Sequence, residues 1–286
     1  MASLRHIRRR LRSIQSTKQI MRAMQLVAGS KFKRAQSRLQ QGRTVLEFLD
    51  GLLQRVVAAA PLSGHPLAVR NEHAPSALVL VTSDAGLAGS YNTNLIQLAE
   101  TEFRRDAALR TEVSYLGKKG HRHFTKRGYA ARDAYLDLAG RPDIRRIDAI
   151  GRTLMDRFLA GEVGSVRLLY AKFVSPTVRR PTITQWLPIQ ISNQQSAISN
   201  QDEYIFEPSP EAVFADLLPR WAMAAFRVML LEAFTAEHGA RMVAMKNATD
   251  NAEELLGVLT RQRNKIRQAT ITKELSEIVG TAEALK

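Results

Sequence analysis

Apolar residues recur at alternating steps of three and four over two long stretches, one at each end of the chain. This spacing predicts two long helices, each with one buried seam. In the first, Leu4, Ile7, Leu11, Ile14, Met21, Ala28, Phe32, Ala35, Leu39, Leu46, Leu49, Leu53 and Val56 keep a single register over 3–57, interrupted at Lys18, Gln25 and Gly42. Ser3 is its candidate N-cap. In the second, within 211–285, the seam runs through Trp221, Ala224, Val228, Leu231 and Thr235, then Met242, Met245, Thr249, Ala252, Leu256 and Leu259. Pro219 lies near its start, so it is expected in a first turn or at a restart of the helix. At 1.5 Å per residue the two helices would span roughly 80 and roughly 110 Å. Seams of that length are buried by another long helix, so the two are expected to pair.

Between them the period changes. Residues 58–76 hold three prolines and read as a linker. Strands are expected at Ala77–Thr82, Glu112–Leu116, Tyr129–Leu136, Val166–Val174 and Pro181–Ile189, the last at an edge. Helices are expected at Tyr91–Ala107, Lys118–Lys126 and Asp143–Leu159. Ile191–Gln201 is polar and reads as a loop, and Asp202–Pro210 leads into the last helix. The expected fold class is α/β: a long antiparallel two-helix coiled coil formed by the N- and C-terminal helices, with an inserted small Rossmann-like α/β domain. The expected division is 1–58, 74–207 and 209–286. Insertion between the helices forces them to run antiparallel if they pair. The N-terminus then draws level with the region around residue 266, and the last turns continue as a lone helix.

Composition narrows the function classes. With 45% hydrophobic residues a real core is possible, and with no cysteine there is no disulfide, thiolate nucleophile or cysteine metal site. The most apolar stretch, Trp221–Phe234, carries Arg227 and Glu232 and falls short of the ~18 apolar residues that span a bilayer. The net charge of +15 is concentrated at the start, where residues 1–43 hold twelve Lys/Arg and no acid. Such a block predicts an anionic partner. A transit peptide would share this composition, but the apolar register continues far beyond a targeting length. A coiled-coil nucleic-acid-binding protein is the rival reading. It leaves the apolar seam unexplained, and Phe32 and Phe48 are the only aromatic residues before residue 60 that could stack on bases.

The candidate chemistry is thin. The segment Thr82–Ser90 (TSDAGLAGS) sits between a predicted strand and a predicted helix, where dinucleotide folds place phosphate-binding glycines. Its spacing is G-x-x-G, and no Walker lysine follows, so a structural turn is expected. Gly117–Gly120 (GKKG) reads as a solvated turn, and His121 and His123 as surface residues. No Ser/His/Asp set, metal cluster or acid/base pair emerges, so neither enzymatic activity nor a cofactor is expected.

Ile14–Lys31 (IQSTKQIMRAMQLVAGSK), the turn TSDAGLAGSYNTNL with its preceding strand, YIFEP at Tyr204–Pro208, and Ala240–Gly280 resemble, in order, the gamma-subunit family of F-type ATP synthases. ARMVAMKNATDNA followed by RQATITKELSEIVG carries most of the specificity. The resemblance implies a central-stalk rotor that couples rotation of a membrane c ring to ATP synthesis or hydrolysis. One copy would stand within a ring of alpha and beta subunits, its sheet domain on the c ring beside the epsilon subunit, with no cofactor and no nucleic acid. It implies a peripheral place on the cytoplasmic side of a bacterial plasma membrane. By position, Met24 would lie against the beta subunit's moving lever, and Arg267 and Gln268 would engage a beta-subunit loop. Tyr204 and Glu207 would face the c-ring loops. Ala85 stands where the family usually has a basic residue, Ser90 where glycine is frequent, and the cysteine insert of the chloroplast relatives is absent.

Overall fold

The computed structural model describes residues 4–59, 64–105, 111–138, 143–190 and 206–284. Two helices dominate, α1 (Leu4–Ala59) and α5 (Pro210–Ala284). Between them lie β1 (Ser76–Val81), α2 (Tyr91–Arg105), β2 (Glu112–Leu116), α3 (Lys118–Thr125), β3 (Asp133–Tyr135), α4 (Ile144–Leu159), β4 (Ser165–Phe173) and β5 (Arg179–Leu187). The chain divides into two compact units, Met1–Ala28 with Met242–Lys286, and Gly29–Arg241. Each long helix contributes to both.

In the 29–241 unit the five strands form one sheet in the order β3-β2-β1-β4-β5. β3, β2, β1 and β4 are mutually parallel and β5 returns antiparallel to β4. Parallel neighbours need crossover connections, which α2, α3 and α4 supply. The apolar strand runs are explained by burial on both faces. Ala77, Val79 and Val81 of β1 and Val166, Leu168 and Tyr170 of β4 share one cluster with Ile147, Ile150 and Leu154 of α4, Phe226 and Leu230 of α5, and Leu53 and Val56 of α1. The alternate residues Leu78, Leu80 and Leu169, also buried, lie outside that cluster. On this second face Leu80 Cδ2 comes within 3.1 Å of where a side chain on Gly120 of α3 would begin. Arg167 of β4 donates to buried Glu102 of α2 at 2.5 Å.

The edge strand predicted over 181–189 is present as β5, with Pro181 tolerated because the strand has a neighbour on one side only. The strand expected over 129–136 shrinks to three residues. Tyr129 instead leaves the ladder and stacks on Phe103, ring centroids 5.0 Å apart. The expected loop at Ile191–Gln201 and the cap at Ser3 fall outside the described residues.

Pro219 is also placed differently from expectation. α5 begins at Pro210 and runs through it, so Pro219 is interior and leaves the carbonyl of Ala215 without its helical donor. The His65 ring donates to that carbonyl instead. Its Nδ1 accepts from the Leu67 amide at 3.1 Å, and the ring meets Phe214 edge-on at 5.7 Å. A side chain from the linker thus replaces the missing backbone bond. Burial is the larger influence on this imidazole and pushes its pKa down.

The long helices pack antiparallel. In the 29–241 unit Arg43 bonds Glu232, and Phe32 lies against Gly239, so numbers fall along α1 as they rise along α5. Gly42, an interruption in the sequence pattern, faces Val228 and Leu231, whose side chains come within 3.4 Å of where its Cβ would be. In the other unit Lys18, a second interruption, spans the pair to Glu253 at 3.1 Å. Ile7, Ala28, Met245, Thr249, Ala252 and Leu259 are buried there, and the Thr249 hydroxyl is satisfied by the Met245 carbonyl at 2.8 Å. The chain lacks cysteine, so a Lys18→Cys, Glu253→Cys variant should crosslink within one molecule through a short flexible bis-maleimide, read as a mobility shift. Failure of this pair while Lys18→Cys reaches a cysteine at Ala282 would contradict the register.

Candidate functional site

Exposure along α5 changes sharply in the unit formed with the start of α1. Arg263, Asn264 and Ile266 are half-buried, whereas every residue from 267 to 281 is exposed. Carrying the Lys18–Glu253 register toward the start of α1 brings Leu4, the first residue of α1, level with Arg267. Arg267 and Gln268 therefore stand where the described pairing ends, and among the described residues neither has a hydrogen-bond or ion-pair partner. Beyond them Ile271, Leu275 and Ile278 fall on one face and are 48%, 57% and 65% exposed.

On α1, Met24 is half-buried beside the seam. It shares a face with Ile20 and Val27, both exposed, at steps of four and three. The sequence reading singled out Met24 but not this three-residue apolar stripe. The surrounding cations Arg5, Arg8, Arg9, Arg10, Arg12 and Arg22 all point to solvent, so the seam and the basic surface are separate faces of one helix. Glu207 is exposed, next to Phe206, which packs on the core of the 29–241 unit. Tyr204 lies outside the described residues. The structure thus brings Met24, Arg267 and Gln268 into one compact unit and puts Glu207 in the other.

The turn after β1 is filled by its own residues. Ser83 and Asn92 bond each other, and the Asp84 carboxylate accepts from the amides of Lys118 and Asp137 at 3.0 and 3.1 Å. Gly117 has φ +102°, and a Cβ there would lie 2.1 Å from the Thr82 carbonyl oxygen, so this junction requires glycine. The amides of Gly117, Lys118, Lys119 and Gly120 go to Tyr135 O, Asp84 Oδ1, Ser83 O and Thr82 Oγ1. The GKKG segment therefore has no amide left for a phosphate, but it is not the solvated turn expected: Gly117 and Gly120 are buried, and Lys118–Gly120 open α3. His121 and His123 are less exposed than expected. Both are half-buried, and His123 contacts Glu100 at 2.8 Å, which holds the Glu100 carboxyl below its ordinary range. Among the described residues no group of three or more His, Asp or Glu is placed to hold a metal.

The sequence reading missed the ion pairs that α5 makes with α4, with α1 and within itself. Arg227 grips Asp148 of α4 with two bonds, 2.5 and 2.8 Å. Arg43 donates to both Glu232 and the Phe173 carbonyl. Arg241 pairs with buried Glu237 and reaches the carbonyls of Ala85 and Gly86. The one available signal was the presence of Arg227 and Glu232 in an otherwise apolar stretch, since buried charge requires a partner.

Comparison with known proteins points in one direction. A family profile described as ATP synthase matches residues 3–285. The ATP synthase gamma chain of Desulforamulus reducens is 40% identical over 286 residues, covering all of both chains. That of Anaeromyxobacter sp. strain K is 41% identical over 292 residues, again covering both chains fully. Among solved structures, a chain of the Euglena gracilis mitochondrial ATP synthase (OSCP/F1/c-ring, rotational state 3) superposes with TM-score 0.66 at 16% identity, covering 99% of this chain and 94% of that one. A chain of the Tetrahymena thermophila mitochondrial ATP synthase central stalk and c ring superposes with TM-score 0.59 at 22% identity, covering 80% and 99%. At these identities the structural matches speak for the fold.

Proposed function

The chain belongs to the gamma-chain family of ATP synthases, and from that premise we propose how its parts serve a rotor. It is the central-stalk subunit of an F-type ATP synthase, a non-catalytic member of that complex. It works with other ATP synthase subunits in a membrane-bound assembly. No described helix is long and apolar enough to cross a membrane, which suits a peripheral place there. The observation that carries this reading is identity of about 40% along the full length of both chains. The nucleic-acid reading gains no support from these relatives.

In the finer reading, segments 1–58 and 209–286 form the shaft and 74–207 the part that meets the c ring beside epsilon, through Tyr204 and Glu207. One copy stands within the alpha and beta subunits on the cytoplasmic side of a bacterial plasma membrane. Met24 touches the beta subunit's moving segment, and Arg267 and Gln268 engage a beta-subunit loop. Support comes from the exposure of Arg267 and Gln268, and of Ile20 and Val27 beside the half-buried Met24, which leaves them available to a partner. The two paired helices present different side chains in different directions. Three like beta subunits would then meet different contacts, and only such differential contacts shift a conformational equilibrium. The exposed cations at the start of α1 add a soft attraction to acidic partner segments, sensitive to salt.

Co-expression with the alpha and beta subunits of the same organism tests this. The expected result is a complex holding one copy of the chain, by native mass measurement, whose steady ATPase activity depends on it. An alpha–beta complex that never takes up the chain, together with a salt-sensitive shift of random DNA by the chain, would overturn it.

A further inference from the structure

A buried carboxyl lies behind the turn after β1, in the 29–241 unit. Glu237 is 2% exposed, and its Oε1 accepts from Arg241 Nη2 at 2.7 Å. The same Nη2 donates to the Ala85 carbonyl at 3.3 Å, and Arg241 Nε donates to the Gly86 carbonyl at 3.2 Å. One guanidinium therefore ties the carboxyl of α5 to the backbone of the turn. We propose that docking of the Asp84–Gly86 turn onto α5 is coupled to a proton carried by Glu237.

The surroundings set the sign. Arg241 and Lys31 of α1 favour the carboxylate, whereas Asp84 on the turn itself opposes it. His238, the next residue on α5, is 2% exposed and held down to about 4 by burial first and by Arg241 and Lys31 after it, so it is neutral near pH 6. Tyr91 of α2 donates its hydroxyl to the Ala233 carbonyl at 3.2 Å. Burial, and then Glu237, push its pKa well up, so it too stays neutral. Arg179 of β5 faces Tyr91 and donates to the Pro176 carbonyl. Burial outweighs the cations and pushes the Glu237 carboxyl up to about 7. A released turn would let water reach Glu237 and return it toward the ordinary carboxylate range. The docked state therefore binds the proton more tightly than the released one, and docking weakens as pH rises from that range toward about 7. The like-charge repulsion from Asp84 is part of that upward push on Glu237, after burial. Above about 7 both states are ionised and the dependence levels off.

The absence of cysteine allows a clean probe on the full chain: a nitroxide at Leu87→Cys, a turn position 59% exposed. The label should be immobilised at pH 5. Its mobile-to-immobile ratio should rise about tenfold per pH unit between roughly 5 and 7, then flatten. In Glu237→Gln, of the same shape and always neutral, the label should stay immobilised throughout. Arg241→Ala should be mobile at every pH, and His238→Gln should keep the parent's dependence. A parent label insensitive to pH would overturn the proposal. So would a dependence that survives Glu237→Gln or disappears in His238→Gln, or an Arg241→Ala label as immobile as the parent's at pH 5. Helical circular dichroism on each variant identifies loss of fold. If Glu237→Gln does not fold, Glu237→Met, of similar length and uncharged, takes its place.

Discussion

Replacing Arg267 and Gln268 together by alanine is expected to lower the ATPase turnover of a reconstituted complex by roughly ten- to hundred-fold while leaving assembly normal or mildly reduced. Both residues are exposed, at the point where the described part of α1 ends alongside α5. They add nothing to the buried seam, so their removal spares the fold. Arginine presents a rigid fork of donors suited to a carboxylate, and glutamine adds a donor and an acceptor beside it. A charge-assisted contact of this kind is worth roughly 1.5–3 kcal/mol. In the proposed rotor it forms and breaks as each beta subunit is passed, so its loss alters a rotational barrier by a comparable amount. Normal assembly, turnover and ion pumping in the double variant would exclude this role and leave packing along the helices as the source of torque.

Phe226→Ala is expected to destabilise the 29–241 unit by about 3–5 kcal/mol, the usual cost of emptying a well-packed aromatic site. Phe226 is fully buried on α5 and lies 4.6 Å from Trp186, centroid to centroid. Its ring reaches within 3.0 Å of where a Cβ on Gly151 would stand. The Trp186 indole is itself held by the Ala222 carbonyl at 2.8 Å, so the neighbours have little freedom to collapse into the cavity. Urea unfolding followed by tryptophan fluorescence should show a midpoint lower by about 1 M or more with an unchanged slope. An unchanged midpoint would mean that this contact between α4, β5 and α5 does not support the fold.

Much of this architecture was legible in the residues alone. The register from Ile7 to Val56 on α1 and from Ala224 to Leu259 on α5 is the one the structure buries, because a two-helix seam depends only on local spacing and on apolar character. The apolar strand runs gave the parallel sheet for a similar reason, since strands covered on both faces need no polar residues. The G-x-x-G spacing correctly indicated a turn, and the resemblance carried by the C-terminal run led to the family. Tertiary structure decided what each exception in the pattern was for. Lys18 and Gly42 looked like interruptions until α5 brought Glu253 and Leu231 to them. Pro219 looked like a boundary until His65, 154 positions away, supplied the missing donor. The partners of Arg227 and Glu232, Asp148 and Arg43, were likewise out of reach. A charge in the sequence shows that a partner is needed, but desolvation and pairing depend on which distant segments fold against it.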